Sequence, residues 1–128
     1  MISTAGIARN GGGAYFVAKR KPSKNLHACW EFPGGKADGN EGPVTALQRE
    51  YMEEFGIEIE VGDLFCTGSF TSRSKEFTLM AFSIQLLGEP ECREHMEFGW
   101  KSLEELRDLD LVPSDRIILR NLLENNQL

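Results

Sequence analysis

The sequence has few of the features that mark a secreted, zinc-binding or membrane-spanning protein. Its three cysteines, Cys29, Cys66 and Cys92, are odd in number and form no C-x-x-C pair, so we expect reduced thiols and no structural zinc site. No apolar run reaches the roughly 18 residues of a membrane span, and the N-terminus lacks the charged and apolar regions of a targeting segment. We therefore expect a cytoplasmic protein without a membrane partner.

Positive charge is also scarce. The chain carries 14 Lys and Arg against 20 Asp and Glu, a formal net charge of −6. A broad surface for DNA or RNA needs an excess of basic residues, so no nucleic acid polymer is expected as a partner. A small phosphorylated ligand stays possible, because a bound divalent cation reverses the local sign of charge.

Short apolar runs alternate with one strong helical pattern, which predicts an α+β fold. We expect strands at 3–9, 14–19, 57–61, 64–71, 77–87 and 98–101, and a short strand within WEFPGGK at 30–36. Glycines 11–13 predict a hairpin turn between the first two strands. Helices are expected at 43–55, at 102–106 and after residue 114 or 115. The expected architecture is a mixed β-sheet between a central helix and a C-terminal helix, in one domain over residues 1–128, as a monomer or homodimer.

The central helix has clear start and stop signals. Pro43 suits the first helical position, and Gly56 suits the left-handed position after the last turn. Four side chains at helical spacing predict one apolar face: Val44, Leu47, Tyr51 and Phe55. Ser102 and Glu105 form a capping box, which predicts the start of the next helix.

Three glutamates of the central helix, Glu50, Glu53 and Glu54, are expected in one sector opposite the apolar face. Like charges at this spacing repel by roughly a few tenths of a kcal/mol per pair. A solvated acidic face is one interpretation. A site for a hard divalent cation is the other, because carboxylate oxygens bind Mg²⁺ or Mn²⁺ and the ion removes the repulsion.

The residues around these glutamates favour the metal site. From Gly35 to Ile57 the order is Gly35, five residues, Glu41, seven residues, then REYMEEFGI. This resembles the signature of the Nudix hydrolases, G-x5-E-x7-R-E-U-x-E-E-x-G-U, where U is a bulky aliphatic residue. The one departure is Tyr51 at the first U position, which is expected to pack where the aliphatic residue would. The element order along the chain is also similar to the Nudix fold.

The resemblance implies hydrolysis of a nucleoside diphosphate linked to another group, with Mg²⁺ or Mn²⁺ as cofactor. Glu50 and Glu54 match metal ligands of the family, and Glu53 matches a ligand or the general base. The Gly34 carbonyl is expected to reach a metal as well.

Two further residues of the signature are expected to support the ligands. Arg49 matches the arginine that orients the carboxylates through charge-assisted hydrogen bonds. Glu41 matches a glutamate in a supporting position. Outside the signature, Glu94 lies in a loop similar to the one that carries an additional metal-binding or base glutamate in related hydrolases, with His95 and Glu97 as rivals and an ordinary polar loop as the alternative.

The segment WEFPGGK resembles the MutT-like branch, whose members cleave nucleoside triphosphates. It implies substrate contacts at Phe32, Gly35 and Lys36, and Arg20 or Lys19 could hold phosphates or could simply end a strand. Trp30 and Phe32 are expected to alternate, with Phe32 facing the nucleotide and Trp30 in the core or at the rim.

Asp115, in VPSD, occupies the position that often reads the base edge in MutT-like proteins. An ionised carboxylate only accepts hydrogen bonds, so it suits the exocyclic amine of cytosine or guanine; only a protonated carboxyl could donate to an 8-oxo carbonyl. A helix N-cap is the alternative role, and the two roles can coexist.

The expected function is Mg²⁺-dependent hydrolysis of oxidised, modified or cytidine nucleoside triphosphates to the monophosphate and pyrophosphate, which clears such nucleotides from the pool. One alternative is a hydrolase for nucleoside diphosphate sugars or ADP-ribose within the same family. Another is a catalytically silent domain that only binds a nucleotide.

Overall fold

The computed structural model describes residues 1–125, so the last three residues of the predicted domain lie outside the described range. The strands are β1 Ile2–Ile7, β2 Tyr15–Lys19, β3 Trp30–Glu31, β4 Ile59–Ser72, β5 Lys75–Leu86 and β6 Glu97–Lys101. The helices are α1 Pro43–Phe55, α2 Leu103–Asp108 and α3 Arg116–Asn125, with a 3₁₀ turn at Pro113–Asp115. None of the helices within residues 1–125 has the length and apolar composition that crossing a lipid bilayer requires.

The strands form two three-stranded sheets. In the mixed sheet, of order β1-β5-β4, β5 runs parallel to β1 and antiparallel to β4. In the antiparallel sheet β2 lies between β3 and β6. The predicted strands at 57–61 and 64–71 are one continuous strand, β4, with irregular register between Val61 and Cys66.

The glycine run is a turn, as predicted, but it does not close an ordinary hairpin. The Asn10 side chain accepts hydrogen bonds from the backbone of Gly12 and Ala14 at 3.0 and 2.9 Å. The flanking strands β1 and β2 then go to different sheets and are joined only by an isolated bridge between Arg9 and Tyr15 in the described chain. A turn pattern predicts local reversal, whereas strand pairing depends on distant segments.

The sheets lie between α1 on one side and α2 and α3 on the other. On β2, Phe16 and Ala18 belong to the core under α1, whereas Tyr15 and Val17 belong to the core under α3. Alternate residues of a strand point to opposite faces, so a strand covered on both faces is apolar throughout. This confirms the predicted sandwich of strands between two helical layers.

Helix α1 begins at Pro43 and is followed by Gly56 at φ 66°, both as predicted. Tyr51, the departure from the signature, is fully buried. A Cβ on Gly6 of β1 would lie 2.8 Å from the Tyr51 hydroxyl, so the glycine leaves room for the larger ring. The prediction that Val44 lies on the buried apolar face is wrong, because Val44 is 39% exposed. It lies in the first turn, at the edge of the apolar stripe.

Candidate active site

The loop between β3 and α1 is attached to β1. Thr4 donates its backbone N–H at 2.7 Å and its hydroxyl at 2.8 Å to the Gly35 carbonyl. A Cβ on Gly34 would lie 2.1 Å from the Thr4 carbonyl oxygen, and one on Gly35 would lie 2.4 Å from Cδ of Glu50. Only glycines therefore allow the loop to pass this closely between the strand and the helix. Within residues 1–125 no hydrogen bond uses the Gly34 carbonyl.

Arg49 connects this loop to the carboxylates of α1. Its Nε and Nη2 each donate to Glu41 at 2.9 Å, a bidentate pair. Its Nη1 donates to Glu50 at 3.0 Å and to Glu53 at 3.3 Å. Its Nη2 also donates to the Lys36 carbonyl at 3.0 Å. A single guanidinium thus sets the relative positions of the loop and two of the three glutamates.

Glu41 contacts Arg49 and does not line a cavity beside the cluster. The hydrogen bond from Arg49, together with one from the backbone N–H of Asp38, lowers the pKa of Glu41 to about 2. The carboxylate is therefore ionised at neutral pH, as a partner of an arginine should be.

The three glutamates of α1 have three different environments. The Glu53 side chain is 51% exposed beside Arg49, that of Glu50 is 19% exposed, and that of Glu54 is 6% exposed. The prediction that all three lie opposite the apolar face is wrong for Glu54. A helix turns about 100° per residue, so Glu54 lies only about 60° around the helix from Tyr51 and is buried with it.

A cavity of about 340 Å³ beside α1 brings most of the predicted ligands together. Glu50, Glu54 and Glu94 line it with Gly34 and Gly35. The rest of its lining is Arg20, Lys21, Glu31 and His95. Glu53 and Glu97 do not line it, because Glu53 lies at the outer side of α1 and Glu97 of β6 pairs with Lys19 of β2.

The electrostatics of this cavity fit a divalent cation. Burial, together with the charges of Glu31 and Glu50, raises the pKa of Glu54 to about 10, and burial also raises the pKa of Glu50. The buried Oε2 of Glu54 accepts no hydrogen bond within the described residues. Crowded acceptor oxygens that lack a donor are what a hard cation coordinates, so Glu50, Glu54, Glu94 and the Gly34 carbonyl could hold one.

Glu31 was not among the predicted site residues, and His95 was only a rival to Glu94. His95 Nε2 lies 2.6 Å from Glu31 Oε2 and 3.4 Å from Glu54 Oε1. Glu31 also lies 3.9 Å from Arg20 Nη1. The sequence signal that could have identified Glu31 was an acidic residue between Trp30 and Phe32. The middle residue of three on a strand faces the side opposite to its two neighbours.

That alternation also corrects the prediction for Trp30 and Phe32. Residues two apart on a strand share a face, and both rings lie in the core under α3. Phe32 additionally lines a second cavity, so it forms a buried wall of that cavity.

This second cavity, of about 600 Å³, adjoins the first. Arg20 and Lys36 supply positive charge to its lining, and Lys36 Nζ lies 4.9 Å from the centre of the Phe77 ring. Val112, Pro113, Ser114 and Asp115 close one end. Arg20, Glu31, Gly34 and Gly35 line both cavities, so the two spaces lie side by side.

Asp115 is buried in the lining of this cavity. Its side chain is hydrogen-bonded to the backbone next to β3 and not to the end of a helix. Its Oδ2 accepts a hydrogen bond from the Phe32 N–H at 2.7 Å. Burial, together with the charge of Glu31, raises the pKa of Asp115 to about 8. At neutral pH most of this carboxyl is therefore protonated and can donate as well as accept a hydrogen bond.

Comparison with known proteins agrees with the signature and the fold. Residues 1–122 match the family model of the NUDIX domain. The chain is 32% identical over 120 residues to the 8-oxo-dGTP diphosphatase of Haemophilus influenzae, an alignment that covers 93% of this chain and 88% of the relative. It is 32% identical over 104 residues to the CTP pyrophosphohydrolase of Escherichia coli, covering 80% of this chain and 77% of the relative.

A solved structure gives the same result for the fold. The solution structure of the Escherichia coli ORF135 protein matches with a TM-score of 0.88 and 30% identity, over 98% of this chain and 90% of that one. The family match spans the signature helix, both sheets and the start of α3. This chain therefore belongs to the Nudix family.

Proposed function

We propose that this protein is a divalent-metal-dependent nucleoside triphosphate pyrophosphohydrolase of the MutT type, which releases a nucleoside monophosphate and pyrophosphate. The observation that carries the proposal is that the two cavities adjoin, with Arg20, Glu31, Gly34 and Gly35 lining both. A nucleotide with its base at the Asp115 end would extend its phosphates toward the carboxylates of α1. A volume of about 600 Å³ suits a ligand of nucleotide size.

Mg²⁺ is the proposed cofactor, with Mn²⁺ as its substitute. Glu50, Glu54 and the Gly34 carbonyl would hold it, and Glu53 and Glu94 are further candidate ligands. A bound divalent ion would neutralise phosphate charge and acidify a bound water molecule.

Arg49 is proposed to fix the orientation of the Glu50 carboxylate through its 3.0 Å hydrogen bond. Glu41 is proposed to fix Arg49 in turn, through the bidentate pair at 2.9 Å. An ordered donor of this kind keeps a carboxylate from rotating away from the metal ion. This is the usual role of residues that hydrogen-bond to metal ligands.

The general base is proposed to be Glu94, with Glu53 as the alternative. Glu94 lines the carboxylate cavity, whereas Glu53 contacts Arg49 on the outer side of the helix. A base must lie within reach of the water that it deprotonates. Replacement of the base by glutamine should reduce kcat strongly and leave the nucleotide KM nearly unchanged, so Glu94→Gln and Glu53→Gln distinguish the two candidates.

Four residues are proposed to bind the nucleotide itself. Arg20 and Lys36 would contact phosphate oxygens, and the Gly35 backbone would allow the phosphates to approach the helix. Phe32 would form the wall of the base pocket and hold Asp115 through its N–H.

Asp115 is proposed to read the base edge in its protonated form. A protonated carboxyl offers one donor and one acceptor side by side. The O6 and N1–H of an 8-oxoguanine, and the N3 and exocyclic amine of cytosine, each present the matching pair. Relatives of this chain carry the names 8-oxo-dGTP diphosphatase and CTP pyrophosphohydrolase, which supports these two nucleotides as the first substrates to test in a role of clearing the nucleotide pool.

The test is pyrophosphate release with Mg²⁺ from a panel of nucleotides. The panel contains the ordinary NTPs and dNTPs, 8-oxo-dGTP, 5-methyl-dCTP, ADP-ribose and several nucleotide sugars. We expect release from 8-oxo-dGTP or a cytidine nucleotide well above release from the others. Turnover of ADP-ribose or a nucleotide sugar without turnover of any triphosphate would overturn the proposal, and binding without turnover would indicate a silent domain.

We further propose that residues 1–128 act as one domain in the cytoplasm, as a monomer or homodimer without a nucleic acid partner. The net charge of −6 supports the absence of a nucleic acid partner. Light scattering of the purified protein measures the oligomeric state, and a gel-shift assay with DNA and RNA should detect no complex.

A further inference from the structure

His95 occupies a position that the Nudix signature does not cover. Its side chain is 4% exposed, and its ring stacks on that of Phe55 with the centroids 5.1 Å apart and the planes 12° from parallel. Its Nε2 points at two carboxylates, 2.6 Å from Glu31 Oε2 and 3.4 Å from Glu54 Oε1. A carboxylate oxygen only accepts a hydrogen bond, so Nε2 acts as the donor to Glu31, and the ring lies between Glu31 and Glu54.

The short distance to Glu31 marks a hydrogen bond rather than a shared metal ion. Two neighbouring ligand atoms of an octahedral ion at about 2.1 Å are roughly 3 Å apart. The separation of 2.6 Å between Nε2 and Glu31 Oε2 is shorter than this spacing and is ordinary for a charge-assisted hydrogen bond. His95 is therefore built as a donor to the carboxylates.

The loop that carries His95 is fixed to the end of α1. Glu91 N donates to the Phe55 carbonyl at 2.9 Å, and Arg93 N donates to the Glu54 carbonyl at 3.3 Å. On the other side of His95, Met96 N donates to the Lys19 carbonyl of β2 at 2.8 Å. The imidazole is thus held in place by the backbone on both sides and by the Phe55 ring. It can therefore fix the orientation of the more flexible carboxylate side chains.

We propose that His95 is a positioning residue, which holds the Glu54 carboxylate in its metal-binding orientation through its hydrogen bond to Glu31 and its 3.4 Å contact with Glu54. The inference rests on the proposed function, in which Glu54 is a ligand. Without the imidazole, the 3.4 Å contact at Glu54 Oε1 would be lost, and the Glu54 carboxylate would be free to rotate out of its metal-binding orientation.

The test compares His95→Gln with His95→Asn. The glutamine amide can reach the position of Nε2 and donate to both carboxylates, whereas the asparagine amide is one methylene shorter and cannot. His27→Asn is the control, because this exposed histidine pairs with Asp110 and lines neither cavity. The dissociation constant of Mn²⁺, measured by EPR of the free ion on protein without nucleotide, is the main readout.

We expect His95→Asn to weaken Mn²⁺ binding by about tenfold or more, the effect usual for a lost partner of a metal ligand. His95→Gln and His27→Asn should bind Mn²⁺ nearly as wild type does. In turnover, His95→Asn should raise the Mg²⁺ concentration needed for half-maximal rate and leave the nucleotide KM unchanged. A purely structural role would instead reduce the amount of folded protein, which thermal unfolding reports, without a change in Mn²⁺ affinity per folded molecule.

Wild-type Mn²⁺ affinity in His95→Asn would overturn the inference, and so would a histidine nitrogen coupling in the electron spin echo spectrum of bound Mn²⁺, since His95 would then be a ligand. If His95→Asn does not fold, His95→Leu applies the same test, because leucine can pack against Phe55 but donates no hydrogen bond, and it should weaken Mn²⁺ binding to a similar degree. Failure of the proposed function is distinct from these outcomes: wild type would bind Mn²⁺ but release no pyrophosphate from any triphosphate.

Discussion

The buried carboxyl of Asp115 gives a quantitative prediction for the variant Asp115→Asn. The asparagine is nearly isosteric and keeps an oxygen that can accept the 2.7 Å hydrogen bond from the Phe32 N–H. It differs in having no ionisable proton. The comparison therefore isolates the free energy of keeping this carboxyl protonated in the fold.

The magnitude follows from the shift of the pKa from 3.8 to about 8 on folding. Between those pH values the folded state holds a proton that the unfolded state has lost, so the free energy of unfolding falls by about 1.4 kcal/mol for each pH unit. From pH 5 to pH 8 wild type should thus lose about 4 kcal/mol that Asp115→Asn does not lose. The sign is that of an acid whose pKa is raised: its contribution is complete at low pH and disappears as pH rises to about 8.

Urea unfolding of both proteins at half-unit steps from pH 5 to pH 9, without added metal, measures this difference. The stability of Asp115→Asn relative to wild type should rise with pH up to about 8 and then level off. Asp63→Asn removes the same charge from an exposed position on β4 and is the control. Parallel curves for wild type and Asp115→Asn over the whole range would refute a protonated carboxyl at this site, and with it the proposed reading of the base edge.

Three further predictions concern the metal site and its surroundings. Gly35→Ala should reduce Mn²⁺ affinity and kcat by about tenfold or more, because the new Cβ would lie 2.4 Å from Cδ of Glu50; titration with Mn²⁺ checks this. Gly56→Ala should lower the free energy of unfolding by about 1–2 kcal/mol, because Gly56 has φ 66° and a Cβ there would lie 2.5 Å from Arg93 Nη2; urea unfolding checks this. Saturating Mn²⁺ should stabilise wild type by about 3 kcal/mol at 100 times its dissociation constant but stabilise Glu54→Gln far less, as thermal unfolding with and without the ion would measure.

Gly11→Ala is the control for both glycine variants, because a Cβ at Gly11 meets no atom within 4 Å. It should leave stability and Mn²⁺ affinity nearly unchanged. Unchanged Mn²⁺ affinity in Gly35→Ala, unchanged stability in Gly56→Ala, or equal stabilisation of wild type and Glu54→Gln by Mn²⁺ would each contradict the corresponding prediction.

Local features of the chain were predictable from the sequence because neighbouring residues determine them. Helix α1 runs from Pro43 to Phe55 as predicted, and Gly56 takes the left-handed conformation that follows it. The capping box of Ser102 and Glu105 is formed in full, with both reciprocal hydrogen bonds present. Proline geometry, the freedom of glycine and side-chain capping act over about one turn of helix, so they can be read directly from residue order.

The signature also determined which carboxylates belong to one helix, but not how each of them is buried. Spacing places Glu50, Glu53 and Glu54 within two turns, and it cannot tell which side another segment covers. The loop at 91–96 covers Glu54 and leaves Glu53 in solvent, so two adjacent residues of one motif differ in exposure, and burial raises the pKa of Glu54.

By itself, then, the sequence determined the family, the helix and its caps, and the list of candidate ligands. Only the tertiary structure decided that the strands divide into two sheets, that Glu31 and His95 meet Glu54, and that Asp115 is buried with its pKa raised. These features join segments that are distant in the sequence, such as Glu31 and His95 with a separation of 64 residues, or depend on loss of solvent. Residue order determines local conformation. Contacts between distant side chains, and the loss of solvent around ionisable groups, arise only when distant segments pack together.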